Sequence, residues 1–557
     1  MIGHYAIADQ PFSHLGDELD QSTENPLSAI LRNPEAQFRY LIEVDTFDPD
    51  VEKEDFFPAP FSTHPVSSIT WNYKGSVVQK YYSDTGFITE NHRNYLPLAI
   101  NPYQFDVSIL SGDEFAGSSP SFGAIRLANG DGDLDELSRI SIENRSIRVL
   151  LGGLDFTREQ FSKIFEGVLG APEFDEEEVI LNLNTRAKFL DISFDQKLYE
   201  GTGGLEGGDD ISGQPKPLTY GKVFNISPVL VDEANLIYQV HDGEIEAVDA
   251  VYDRGVELTN GGDVADITSA SVTAGQYKTQ LSGGYIKLGS SPDGRITADV
   301  QGDKKDGDYV SKAGAIVERI LRNKLGINSL TVSEIDLGAL NNINQTVTGD
   351  VGIYIFREAT ARQVVDAIFG PLHIYWTFTR SGTFTAGIVD EPANNAVYTI
   401  TDDEITDEDG IEIVTTINPS FRVNIGYKRS FTVYDENDIA AGATADYRTF
   451  AIQENRKVFQ QNDDILRSSQ SRNERLFNTL LAEKSDAETE LARINRIYNK
   501  KRQVFRIRLV NFLFRIFIGD TITLKSDRFN LSNGKNFLVV SVSEDAEINE
   551  TELEVWG

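Results

Sequence analysis

The chain reads as a mainly β protein with α+β insertions: several small β-sandwich or barrel modules plus one long helix near the C-terminus. Three observations predict this. Apolar and polar residues alternate with period two over residues 146–151, 178–183, 422–427, 505–510 and 521–525, as half-buried strands require. Glycine, asparagine and aspartate punctuate such runs at Asn129-Gly130-Asp131-Gly132, Asn260-Gly261-Gly262 and Pro292-Asp293-Gly294, the residue types that tight turns favour. The composition sets 32 Phe, 21 Tyr and 45 Gly against a single Met, a mix that favours strands.

Four segments predict helices. Residues 158–168 follow Thr157 with Gln160 three positions on, the pattern of a capping box. Residues 309–324 place Ile316, Ile320 and Leu321 on one face, with Gly326 as the stop. Residues 361–369 carry a second capping box, Thr360 with Gln363, and a stripe of Val364, Val365 and Ile368 that ends at Gly370-Pro371. The fourth segment, residues 464–498, would extend ~50 Å at ~1.5 Å per residue. Phe477, Leu480, Ala487, Leu491, Ile494 and Tyr498 recur along it in steps of three and four, a narrow seam interrupted by Lys484. Such a seam suits a helix lying on its own β-domain, or one that meets a copy of itself or a partner.

At about 150 residues per domain, 557 residues suggest about four. Two glycine-rich polar stretches, residues 201–210 and 302–308, read as flexible breaks, and residues 401–412 are acidic. The expected division is 1–225 (N-terminal β-rich), 226–306 (peripheral β-rich), 307–435 (α+β) and 436–557 (long helix and closing β-domain). No repeat of 20–50 residues is visible, which argues against a solenoid or propeller.

The charge balance excludes several functions. With 51 Lys and Arg against 87 Asp and Glu, the net charge is −36. A surface that acidic repels phosphate, so base reading of DNA is not expected. The absence of cysteine removes disulfides, thiolate metal sites and cysteine nucleophiles. No apolar run approaches the ~18–20 residues of a membrane span. The start, Met1-Ile2-Gly3-His4-Tyr5, lacks the basic and apolar regions of a signal peptide.

Few strings carry chemistry. Asn129, Asp131, Asp133 and Asp135 place oxygen ligands at alternate positions, which suits a hard cation such as Ca²⁺. An EF-hand register from Asn129 fails, because Leu134 and Ile140 stand where glycine and glutamate are needed. The competing reading is a tight turn whose carboxylates cap its own amides. A dinucleotide frame from Gly201 puts Glu206 where the third glycine belongs. The six histidines, His4, His14, His64, His92, His241 and His373, show no zinc spacing. No nucleophile elbow is present, and two-carboxylate glycosidase chemistry is untestable among 87 acids. No catalytic residue and no cofactor beyond the Ca²⁺ candidate are therefore expected. Arg493, Arg496, Lys500, Lys501, Arg502, Arg506 and Arg508 form one basic stretch. It fits a helix C-terminus balanced by neighbouring acids, or a docking face for an acidic partner or subunit.

Several strings in order resemble a known family. Residues 122–135, Phe-Gly-Ala-Ile-Arg-Leu-Ala-Asn-Gly-Asp-Gly-Asp-Leu-Asp, resemble a G-x-I-x-L-x-N-x-D-G-x-L-D segment of tailed-phage tail-tip proteins, with one extra residue in the acidic turn. Residues 165–168, 213–217, 221–230 and 251–255 follow in the family's order. Residues 519–522, 530–540 and 552–557 are similar to the closing β-domain of baseplate hub proteins of long-tailed phages and gene transfer agents. The resemblance implies modules of the tail-hub type and a ring, usually a homotrimer, in the virion tail tip after assembly in the host cytoplasm. It implies as partners a distal tail or tube protein, a tape-measure protein and a central fibre or spike, with DNA passing through the lumen without sequence-specific binding. On this view part of the acidic excess, with residues 175–178 and 401–412 as candidates, faces the lumen. Two other readings are a receptor- or glycan-binding tail protein using Tyr238, Tyr252, Tyr277 and Tyr285 of residues 226–301, and a peptidoglycan hydrolase.

Overall fold

Alternating strands need partners, and most find them in one sheet. A computed structural model describes residues 37–49, 75–111, 114–115, 122–406, 410–469, 472–510 and 513–557. Its largest sheet has sixteen strands. From one edge the order is Ile411–Ile417, Arg502–Val510, Glu550–Trp556, Lys535–Asp545, Ala99–Ser108, Phe122–Ala128, Glu178–Asn184, Ser162–Leu169, Ser146–Gly153, Phe38–Asp48 and Ser76–Ser83, with Asn94–Pro97 and Phe87–Ile88 at the far edge. The two parts of the chain meet where Lys535–Asp545 runs antiparallel to Ala99–Ser108, with Val542 opposite Val107 and Glu544 opposite Phe105. Phe105, Val107, Val542 and Leu553 are buried there in one continuous apolar core. The runs 146–151, 178–183, 422–427 and 505–510 lie in strands, as predicted, and the run 521–525 does so up to Leu524.

A β-sandwich stands beside this sheet. One layer is Val256–Glu257, Ile245–Asp253, Ile296–Lys305, Leu218–Ile226 and Gly352–Ile355; the other is Val229–Asp232, Ile237–Gln239, Tyr285–Leu288, Gln276–Gln280 and Thr259–Asp263. Val223, Val251, Tyr277, Ile286, Ala298 and Val300 fill the space between them. The strands at 218–226 and 352–355 place this sheet across the expected boundaries at 225 and 306. Residues 302–308 are part of it rather than a linker. Lys305 pairs with Asp308, and Asp306-Gly307 turns between them with φ of 54° and 82°. A two-residue Asp-Gly turn of that hand matches the right-handed twist of a hairpin. Residues 201–210 are likewise folded: Gly201 N donates to Glu206 O, Gly203 N to Gly207 O, and Ile211 is buried with Tyr199.

The helices divide into confirmed and corrected. Ala361–Phe369 forms as predicted, with Thr360 Oγ accepting from Gln363 N. The helix expected at 309–324 spans Ala313–Asn323, because Tyr309 still belongs to the hairpin. The helix expected at 158–168 is a single turn, Arg158–Gln160, followed by the strand Ser162–Leu169. The capping box is real, but a β-bulge between Lys163 and Phe165 turns Ile164 and Phe165 both inward. That bulge erases the alternation by which the strand would have been read.

The 50 Å helix does not exist. Residues 464–498 divide into the helix Asp463–Ser469, the strand Glu474–Asn478 and the helix Lys484–Tyr498, about 22 Å long at ~1.5 Å per residue. Glu474–Asn478 pairs in parallel with Arg422–Tyr427, a partner invisible to local periodicity. Ala487, Leu491, Ile494 and Tyr498 are buried inside the chain's own core, so the seam offers no face to another copy.

Candidate functional site

The predicted cation ligands lie in a closed turn. Asn129 is buried; its Nδ2 donates to Asp135 Oδ1 at 2.9 Å and its Oδ1 accepts from Leu134 N at 2.8 Å. Asp131 Oδ1 accepts from Asp133 N at 3.2 Å. The side chains of Asn129, Asp131 and Asp135 thus all hold the turn itself. Among the described residues no three His, Asp or Glu side chains converge to hold a metal ion.

A second acidic turn lies against the first. Strands Phe122–Ala128 and Glu178–Asn184 pair with Ala128 opposite Glu178, and Asn129 N donates to Glu177 O at 2.7 Å. Asp175 Oδ1 caps its own turn by accepting from Glu177 N and Glu178 N, and those amides hold its carboxyl below the usual range. Exposed Asp131, Asp133, Glu173, Asp175, Glu176 and Glu177 therefore share one end of the sheet. Forty residues separate these stretches in sequence, and only strand pairing unites them. Of the acidic stretch at 401–412, residues 407–409 lie outside the described residues; Asp402 and Asp403 are exposed, and Glu404 caps Thr401 N.

The basic stretch is neutralised from within. Arg493 is buried against Glu490 and donates to Val389 O and Leu372 O. Arg496 pairs with Asp390, and Lys500 and Arg502 with Glu391. Arg506 reaches Glu412, Glu552 and Glu554, and Arg508 reaches Glu552. Only Lys501, which is exposed, forms no ion pair among the described residues. Arg506 and Arg508 thus bridge neighbouring strands, while Arg493, Arg496, Lys500 and Arg502 are neutralised by acids beside the helix end, as the dipole-and-neighbour reading expects.

His4, His14 and His64 lie outside the described residues. His92 is exposed. His241 Nδ1 accepts from Thr219 N at 2.9 Å. His373 is buried, with Nε2 2.8 Å from Tyr498 OH, and burial followed by the charge of Arg493 holds it down at about 3. Of the aromatics proposed for glycan stacking, Tyr238 and Tyr277 are core residues and Tyr285 is half-buried. Tyr252 instead lines a cavity together with Asp299, Lys428 and Tyr447. Those residues are up to about two hundred positions apart, and nothing in the local sequence signals their meeting.

Two further features mark the joint between chain regions. Arg380 and Glu544 form a buried bidentate pair, Nη2–Oε1 2.9 Å and Nε–Oε2 3.2 Å. Asp520 lines a cavity of about 380 Å³ with Tyr375 and Asn342, and burial pushes its carboxyl up to about 6.

No protein-family model and no curated protein matches the chain. Among solved structures it is similar to the tail protein from Neisseria meningitidis MC58, with a TM-score of 0.35 and 10% identity over 82% of this chain and 91% of that one. It is similar to a chain of the virion of a native gene transfer agent particle, with a TM-score of 0.39 and 13% identity over 62% and 84%. It is also similar to the 43 kDa tail protein of prophage MuSo2 from Shewanella oneidensis, with a TM-score of 0.31 and 8% identity over 83% and 95%. Two of these are described as tail proteins and one as part of a virion.

Proposed function

We propose that the chain is a non-catalytic hub protein of a phage-type tail, assembled as a homotrimeric ring at the tail tip. One observation carries this reading. Segments that resemble the family, residues 122–135 and the closing 530–540 and 552–557, contribute strands to one sheet, in which Lys535–Asp545 and Phe122–Ala128 are separated only by Ala99–Ser108. Strings far apart in sequence thereby close one sheet.

The acidic end of that sheet supports the same function. Duplex DNA carries one negative charge per ~1.7 Å, so cations in a bore would arrest it by counterion release. Carboxylates offer phosphates no such sites. Asp131, Asp133, Glu173, Asp175, Glu176 and Glu177 lie exposed at one end of the sheet, where they would face passing DNA without binding it. The distal tube protein, the tape-measure protein and a central fibre or spike are the partners proposed for the ring.

Mass photometry of the purified 61.9 kDa chain, alone and with its tube protein, tests the reading. A particle of three copies is expected. A chain that stays monomeric with its tube protein, or virions that lack it and keep an intact tail end, would refute it.

A further inference from the structure

A cavity of about 220 Å³ opens where the turn at Gly255 meets residues 428–456. It is smaller than the roughly 300–1,000 Å³ of drug-sized sites, and suits a single ring. Its walls include Tyr252 and Tyr447, whose rings lie 4.4 Å apart, and Phe450. Its charged groups stand apart from one another. Asp299 accepts from Asn225 N at 2.8 Å, and its Oδ2 lies 3.4 Å from Tyr252 OH. Lys428 holds its ammonium 4.7 Å from the Phe224 ring and 5.2 Å from Phe450, with no hydrogen-bond acceptor among the described residues. Arg456 lies 5.4 Å over Phe450 and, among the described residues, donates only to the backbone oxygen of Asp446, at 3.4 Å. Glu257 and Asp446 complete the lining.

These five side chains carry both signs, yet none forms an ion pair among the described residues. Lys428 and Arg456 thus differ from cations such as Arg496 and Lys500, which are neutralised by carboxylates beside them. Donors and acceptors held apart around aromatic walls need a ligand whose groups both donate and accept. Vicinal hydroxyls do so; a lone anion does not, and three carboxylates against two cations disfavour one.

We propose that this cavity binds one neutral sugar residue, with hydroxyls shared between Asp299 and Lys428 at the floor and between Arg456 and the rim carboxylates. This site stands independently of the hub reading. The groups facing Asp299 are Lys428 and Arg456 from one segment, Tyr252, Asp249 and Glu257 from the neighbouring strands, and the amide of Asn225. Burial pushes the Asp299 carboxyl up to about 6 against the pull of Asn225 and Lys428. An ionised Asp299 accepts from a hydroxyl, so binding is stronger above that pH than below it.

Saturation-transfer NMR and calorimetry on the full chain test this, with D-glucose, D-galactose, L-rhamnose and N-acetyl-D-glucosamine as probes and D-glucuronate and inorganic phosphate as comparators. At pH 7.5 at least one neutral sugar is expected to bind with Kd about 1 mM or tighter. Lys428→Met and Arg456→Met are each expected to weaken it about tenfold or more, and pH 5 to weaken it as well. If no neutral sugar binds the unmutated chain, the proposal fails whatever the variants do. It fails equally if glucuronate or phosphate binds better than every neutral sugar, or if binding survives both substitutions in folded protein.

Discussion

The Arg380–Glu544 pair ties the hairpin Ile374–Phe378/Phe384–Ile388 to the strand that joins the two regions of the large sheet. Both side chains are buried: their relative exposures are 9% and 0%. Glu544 also accepts from Phe514 N at 2.6 Å, and Arg380 donates to Ile516 O at 3.0 Å. Burial raises the Glu544 carboxyl, and the Arg380 charge works against that rise. Glu544→Gln keeps a carbonyl for Phe514 N and removes the charge. It strands a guanidinium among Phe514 and Phe517, whose rings lie 5.8 Å and 5.0 Å from it. Breaking a buried pair in this way costs about 3–5 kcal/mol. Replacing both partners with Met removes both desolvation penalties but leaves Phe514 N and Ile516 O without these partners, so its cost is about 1–3 kcal/mol. Urea unfolding reports the difference through Trp376 and Trp556, which are buried in the same core. The reasoning is refuted if the single substitution loses less than about 1 kcal/mol, or if the double variant is no more stable than Glu544→Gln.

Two other outcomes follow from groups held under strain. Asp520 titrates at about 6 rather than 3.8 because it is buried, so the native state holds its proton more tightly than the unfolded chain does. Stability present below the ordinary aspartate range is lost as pH rises through 6, by up to about 3 kcal/mol. Asp520→Asn is therefore expected to flatten the stability profile between pH 4 and 7, measured by thermal melts; a parallel profile would contradict the assignment. Gly221 has φ of 66°, and a Cβ there would sit 1.9 Å from Val351 O. Gly221→Ala is expected to cost more than about 3 kcal/mol, whereas Gly203→Ala, with φ of 91° and open space around it, costs about 1 kcal/mol. Equal melting temperatures for the two would show that the contact is irrelevant.

Much of the strand content was legible because alternation is a local signal. Arg422–Tyr427 and Glu178–Asn184 each bury one face, and a side-chain period of two records that directly. The Ala361–Phe369 helix was legible for the same reason: its cap and its stripe lie within ten residues. Asp306-Gly307 carried a hairpin signal that a reading of residues 302–308 as a linker passed over.

The amino-acid order by itself determined the strands that alternate cleanly, several of the turns, and the chain's acidic balance, because each depends on neighbours a few residues apart or on composition. Tertiary structure alone decided that Lys535–Asp545 closes against Ala99–Ser108, that Glu474–Asn478 is a strand, and that two acidic turns share one end of a sheet. It also cancelled the basic stretch and assembled the cavity around Lys428. The physical reason is that hydrogen-bonded pairing and charge compensation act between residues brought close by folding, and separation along the chain leaves no local trace of either.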